Sequence, residues 1–318
     1  MQHSNTDNIT RQLNYLSHIT SMKQSQNKEP GNPGCLEEIH KKVKDLYPCN
    51  FEGAKLSIKR TLSQHFNIIH SLIFSSMTPS GYRFGGNFIG DKRVGLLEKY
   101  PIIRGEIMTN GNLTATFMHT LKCRYRIKLG AQIENREYKA FSGTIEYRSN
   151  DCTASLTLAD PNILKKHGTF VIHYLQALTP RMTIGAELAY RRGIKIPNYQ
   201  QSIVTMAARY STGKYTISST FSKVGLHFCY HMKASNQLQL GLEFETNFRT
   251  LDSESAIVYQ LDLSHLDLTF RGLFNSEMTV AGVFEKRLLP SVNSSILISA
   301  LYNYKKEQFR VGVGLNIG

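Results

Sequence analysis

Residues 308–318, QFRVGVGLNIG, alternate with a period of two. Phe309, Val311, Val313, Leu315 and Ile317 are apolar, while Arg310, Gly312, Gly314 and Asn316 between them are polar or small. That period belongs to a β-strand with two different faces. A closed barrel is expected to finish on such a strand, because its last strand must pair with an earlier one to remove the edge. The same alternation starts after Phe51 and recurs along the chain. Leu56 and Ile58 oppose Lys55, Ser57 and Lys59. Ile127, Leu129 and Ala131 oppose Arg126, Lys128 and Gln132. Ile184, Ala186 and Leu188 oppose Thr183 and Glu187. Leu240, Leu242 and Phe244 oppose Gln239, Glu243 and Glu245.

Turn signals punctuate these runs at Ser80-Gly81, Asn110-Gly111, Asn150-Asp151, Thr179-Pro180, Thr212-Gly213 and Ser235-Asn236. The segmentation predicts roughly 19 strands of about 8–12 residues, the length that crosses a bilayer at a barrel's tilt. Longer connections are expected near 91–101, 160–168, 191–199 and 287–292. The fold class is therefore all-β, a transmembrane barrel over residues 51–318. A propeller would carry a repeated blade motif, and the chain has no Trp. A sandwich of this size would need two domains and a linker, and none is visible.

Before the strands, the period is helical. Asn32-Pro33-Gly34 precedes Leu36, Ile39, Val43 and Leu46 at helical spacing, and Pro48 ends the run. Glu37 and Glu38 come early and Lys41, Lys42 and Lys44 late, as the helix dipole prefers. Residues 32–50 thus read as an amphipathic α-helix. Residues 1–31, rich in Asn, Gln, Ser and Thr, read as a disordered polar tail with no secretory signal pattern.

Composition adds two constraints. Apolar residues make up 41% and mean hydropathy is −0.28. No apolar run is long enough for a membrane helix, which leaves a barrel open, since only alternate residues of its wall meet lipid. The formal charge of +14 lies almost wholly after residue 50. Without a basic helix, zinc-finger spacing or RNA-binding aromatic motif, no nucleic-acid partner is expected. The five cysteines are scattered and suggest neither a disulfide framework nor a zinc ribbon.

No nucleophile elbow, phosphate loop or metalloprotease helix is present, and spacing alone picks out no catalytic pair of carboxylates. The polar faces of the strands instead suggest a wet, mixed-charge pore wall. Its positive candidates are Lys55, Lys59, Arg124, Arg126, Lys128, Arg271 and Arg310. Its negative candidates are Glu134, Glu187, Glu243, Glu245, Asp262, Asp267 and Glu285. Such a wall would hold a charged, extended substrate weakly enough to release it. His227, Cys229 and His231 share one strand face and are the weak candidates for metal binding, with no fourth ligand evident.

At this point the residues resemble a known family. The NPG entry at 32–34, FEGAKLSI at 51–58, HYLQALTP at 173–180, HMKASNQLQLGLEFE at 231–245 and YQLDL at 259–263 occur in order. They are similar to the channel-forming subunits of the mitochondrial outer-membrane protein translocase (the TOM complex), within the eukaryotic porin superfamily. Arg310, Gly312, Leu315 and Ile317 fill the places of the family's barrel-sorting signal. The resemblance implies a 19-strand barrel whose first and last strands pair in parallel. It implies an N-terminal helix inside the pore, anchored through Leu36, Ile39, Val43 and Leu46.

The implied function is passage of unfolded precursor proteins through the mitochondrial outer membrane, which is transport without covalent chemistry and implies neither an enzyme nor a cofactor. The implied partners are mitochondrial precursor proteins, a single-span receptor, small single-span accessory subunits, a second barrel copy and the lipid bilayer. Two features depart from the family pattern, as a divergent paralogue would. The lumen lists balance at seven against seven, where cationic presequences call for acidic patches, and the tail lacks a long Pro- and Gly-rich extension. A metabolite- or anion-conducting porin of the same superfamily stays open as an alternative, and a soluble β-rich binding protein is more distant. With family topology, Lys165, Lys166, Arg191, Arg192, Lys195, Arg249, Lys305 and Lys306 would form a basic cytosolic rim.

Overall fold

The structure, a computed structural model, describes residues 32–318 except 77–79, 95–97, 123, 136, 163–166, 194–198 and 290–293. The polar tail expected at 1–31 and three expected rim residues, Lys165, Lys166 and Lys195, lie outside the described residues.

Nineteen strands form one sheet that closes on itself. Each strand from β1 (Gly53–Thr61) to β19 (Gln308–Ile317) pairs antiparallel with its sequence neighbour. The seam alone is parallel: Gly53 sits opposite Gly312, Leu56 opposite Leu315 and Ile58 opposite Ile317. An odd number of strands makes this pairing obligatory, because the first and last strands then run the same way. Closure leaves no row of unpaired backbone groups facing lipid.

The period of two separates the faces cleanly. Ile58, Ile103, Leu129, Ile145, Ile172, Leu188, Leu242, Ile257 and Val313 are all exposed on the outer surface. Aromatic pairs stand near both mouths, Tyr125 against Tyr147 toward one and Tyr302 against Phe309 toward the other. An apolar band bordered by aromatic residues is what a bilayer requires of a barrel's outside.

Strand lengths run from 8 to 14 residues. The longest, β3 (Gly81–Val94), exceeds the expected range and absorbs part of the connection expected at 91–101. Its last turnward residues, Asp91, Lys92 and Arg93, are exposed and charged, so the extra length projects toward water. Tight turns use positive-φ glycines where the sequence signals stood, Gly111 at φ 82° and Gly213 at φ 84°.

The helix expected over 32–50 is much shorter. Leu36–Glu38 forms a 3-10 turn and Lys41–Lys44 a single α-turn, joined at His40 with φ −96° and ψ 7°. Neither piece has a side-chain N-cap. Helices of this length are not stable alone, so wall contacts decide their course. The His40 side chain is held by the wall, and the backbone bends there to deliver it.

Candidate functional site: the pore wall and its inner segment

The inner segment crosses the lumen. At one end, Asn32 Nδ2 donates to the carbonyl of Ser149 at 2.5 Å, and Thr153 Oγ1 donates to Asn32 Oδ1 at 3.2 Å. Ser149 lies in the turn between β7 (Glu137–Arg148) and β8 (Cys152–Asn162), at the mouth where β19 ends. At the other end, the Phe51 amide donates to Ser299 Oγ at 3.2 Å, and the chain enters β1 at the seam.

All four expected anchors are buried. Leu36 and Ile39 pack on Leu175 and Ala207, which face inward from β9 (His167–Ala177) and β11 (Gln200–Ser211). Val43 and Leu46 pack on Cys229 and Val258, with Tyr47 and Leu273 alongside. Cys229 belongs to β13 (Gly225–Lys233) and Val258 to β15 (Asp252–Leu263). Burying each Val, Leu or Ile contributes about 1.5–3 kcal/mol. Small inward residues make room for this: a Cβ added at Gly241 would lie 2.7 Å from Val258 Cγ2 and 3.1 Å from Leu46 Cδ1.

Polar tethers flank the apolar stripe. Arg209 donates to the carbonyl of Pro33 at 2.7 Å, and Lys42 Nζ donates to Thr216 Oγ1 at 2.7 Å and Ser211 Oγ at 3.0 Å. His40 Nδ1 lies 2.8 Å from Ser218 Oγ, and Tyr47 donates its hydroxyl to Glu243. Burial pushes the His40 imidazole down to about 3, helped by nearby His227 and Lys44, so it is neutral at physiological pH. Burial likewise lowers Lys42, and burial with the Glu243 charge raises Tyr47. The Cys35 thiol is raised to about 11, first by burial and then by Glu146.

The expected pore-lining residues divide into three groups. Arg126 and Lys128 point inward from β6 (Tyr125–Glu134) into an ion-pair ladder. Arg126 reaches Glu98 at 2.6 Å and lies over the Tyr100 ring at 5.6 Å, while Lys128 reaches Glu146 at 2.5 Å. Glu187 faces inward from β10 (Met182–Arg192), with His173 at 3.3 Å. Glu243 and Glu245 face inward from β14 (Leu238–Asn247), and Glu243 lies 2.5 Å from His227 Nε2. Arg271 and Glu285 face inward from β16 (Leu268–Asn275) and β17 (Thr279–Leu289), and Arg271 donates to Gln260 at 3.1 Å.

Glu134 stands at the end of β6 in an ion pair with Lys139. Arg124 and Asp267 are corrections. Both are exposed in connections at a mouth, Asp267 at φ 51° after a 3-10 turn, because the strands begin only at Tyr125 and Leu268. The metal candidates also change membership. His227 and His231 are four residues apart on a strand, about 13 Å along it, too far to share one ion. His231 instead sits 3.3 Å from Gln239, and His40 takes its place beside His227 and Cys229.

Two features were missed. Glu146, 2% exposed, is the hub of the ladder, with Arg148 at 3.1 Å as well as Lys128. Its parity opposite Ile145 was the available signal. The second is the pair Arg83 and Arg104, which extends the expected Lys55, Lys59 and Arg310 into a basic strip beside the seam. Arg310, Lys55, Lys59, Arg83 and Arg104 point inward from β19, β1, β3 and β4 (Glu98–Met108), with Glu106 among them.

The sorting-signal positions lie on β19. Leu315 and Ile317 face out beside Leu56 and Ile58, and Arg310 and Gly312 face in. A Cβ at Gly312 would lie 2.6 Å from Phe51 Cδ2 and nearer still to its carbonyl oxygen, so only glycine lets the inner segment cross the seam here. Of the expected rim, Arg191, Arg192, Arg249, Lys305 and Lys306 are exposed at the mouth where β19 begins.

The profile of the eukaryotic porin family matches residues 32–312. Over 287 residues, 90% of this chain, it is 41% identical to mitochondrial import receptor subunit TOM40 homolog 2 of Drosophila melanogaster, covering 84% of that protein. The corresponding TOM40 homologs of Caenorhabditis elegans and Homo sapiens are 39% and 36% identical, with 95% and 78% of their lengths covered. The chain belongs to the TOM40 family of eukaryotic porins. The porin-family match begins at residue 32, where the inner segment begins, so the lumen-crossing segment and nearly all of the barrel fall inside one family unit.

Proposed function

We propose that this chain is a protein-conducting channel that admits unfolded precursor proteins through the mitochondrial outer membrane. The observation that carries the reading is family membership across a closed 19-strand barrel with a polar, charged inner wall. Charges held singly or in pairs along the wall interact with a passing chain without a deep binding pocket. The mechanism is transport without covalent chemistry. Arg126, Lys128, Glu187, Glu243, Glu245, Arg271 and Glu285 line the path, and the inner segment narrows it on one side. A single-span receptor, small accessory subunits and a second barrel copy complete the assembly.

The test places a photo-crosslinking amino acid at Thr269 or Gln132, on inward positions of the wall. An arrested precursor should cross-link there and not to outward Leu242. Failure of every inward position to cross-link would overturn the reading. The basic strip supports a second reading, anion conduction. A barrel that passes small anions in planar bilayers but never captures the arrested precursor would favour it.

A further inference from the structure

His40, His227 and Cys229 place their donor atoms within 4.8 Å of one another. His227 Nε2 and Cys229 Sγ are 3.3 Å apart, and the two imidazole rings have centroids 4.1 Å apart at 37°. A tetrahedral zinc ion with Zn–N of about 2.0–2.1 Å and Zn–S of about 2.3 Å needs donor separations of roughly 3.4–3.6 Å. One edge of that tetrahedron already has nearly that length, and the other donor pairs are no more than 4.8 Å apart. Two imidazoles and a thiolate are the donor set that borderline-soft d10 ions select.

The surroundings match a ligand site. His40 and Cys229 are buried, and the two nitrogens of His40 contact Ser218 and Thr220 hydroxyls at 2.8 and 3.3 Å. One hydroxyl can keep orienting the ring while the other nitrogen binds. The Glu243 carboxylate, 2.5 Å from His227 Nε2, is the adjacent oxygen donor for a fourth position. A cavity of about 250 Å³, lined by His227, Glu245, Thr220 and Ser222, gives an entry path.

We propose that these three residues form a Zn²⁺ site that clips the inner segment to the barrel wall. On binding, the Cys229 S–H bond breaks, the sulfur donates its electron pair to the ion, and the proton leaves to water. His40 comes from the segment and the other two ligands from β13, so the complete site exists only in the docked state. By linkage, free zinc at 100 times its dissociation constant would shift docking by about a hundredfold.

The experiment uses the full chain assembled in detergent micelles and stripped with a chelator. Zn²⁺ is titrated in competition with a chromophoric chelator, and Co²⁺ serves as a spectroscopic probe. One equivalent should bind, with a thiolate-to-cobalt charge-transfer band. Cys229→Ser should abolish the band, and His40→Ala should weaken Zn²⁺ binding at least about tenfold, whereas His231→Ala should change neither. Absence of saturable one-to-one binding, or full binding by either ligand variant, overturns the proposal. Should a variant fail to assemble, X-ray absorption on the wild-type Zn²⁺ complex decides: one sulfur near 2.3 Å supports the site, and no sulfur refutes it.

Discussion

Replacing Leu46 by Ala should release the inner segment. Leu46 is 3% exposed and packs with Val43 on Cys229 and Val258. Truncating a buried leucine costs about 2–5 kcal/mol, because the lost methyl groups leave a partly unfilled cavity. The neighbours here are a barrel strand that cannot collapse inward and a segment that can, so a value of about 3 kcal/mol is reasonable. At about 1.4 kcal/mol per tenfold, the ratio of docked to released segment falls roughly a hundredfold. Cys229 reports the change, since its side chain is fully covered beneath Val43 and Leu46. In a barrel whose other cysteines are replaced by serine, maleimide should modify Cys229 slowly, and Leu46→Ala should speed this by up to that factor. Leu242→Ala, on the outer face of the neighbouring strand, should leave the rate unchanged. A Leu46→Ala rate within about twofold of the parent would show that opening is not governed by this packing.

Leu315→Asp and Ile317→Asp each put a carboxylate on the lipid face beside Leu56 and Ile58. Both should block assembly of radiolabelled protein in isolated mitochondria, and normal assembly of both would refute a lipid-facing role. Gly312→Val should destabilise the seam by about 1–3 kcal/mol through overpacking against Phe51, read as a lower temperature for loss of the compact band in semi-native gels. Neutralising Lys55, Lys59, Arg83 and Arg104 to Gln should shift reversal potential toward cation preference, and an unchanged potential would remove the basic strip from the conduction path. Charge reversal at Arg191, Arg192, Arg249, Lys305 and Lys306 should weaken salt-sensitive capture of an acidic receptor segment without preventing assembly, and equal recovery at low salt would dismiss the rim.

Much of the barrel was legible because a single physical rule governs it. One face meets lipid and the other water, so parity assigns Leu188 outward and Glu187 inward with no further information. The anchor stripe was legible for the same reason, since Leu36, Ile39, Val43 and Leu46 recur at a helical period. Parity fails where a strand starts or stops. Arg124 and Asp267 kept the inward phase on paper but sit one residue outside their strands. Parity also says nothing about what arrives from elsewhere in the chain. His40 joins His227 across 187 positions, and no local spacing marks such a meeting. The short helical pieces have the same cause: the period was helical, yet wall contacts at His40 and Lys42 set the backbone.

The contact between Phe51 and Gly312 ties two events in the life of the barrel together. The residue that ends the lumen-crossing segment rests on the strand that completes the cylinder. A cylinder that sealed first would have to admit the segment later through a mouth, past walls already in place. The cheaper order has the segment lying against β9 to β15 while the sheet is still an open trough. In that order the last strand would close over Phe51. Sealing and occupancy become one act, and an empty sealed barrel is a product this chain should rarely make.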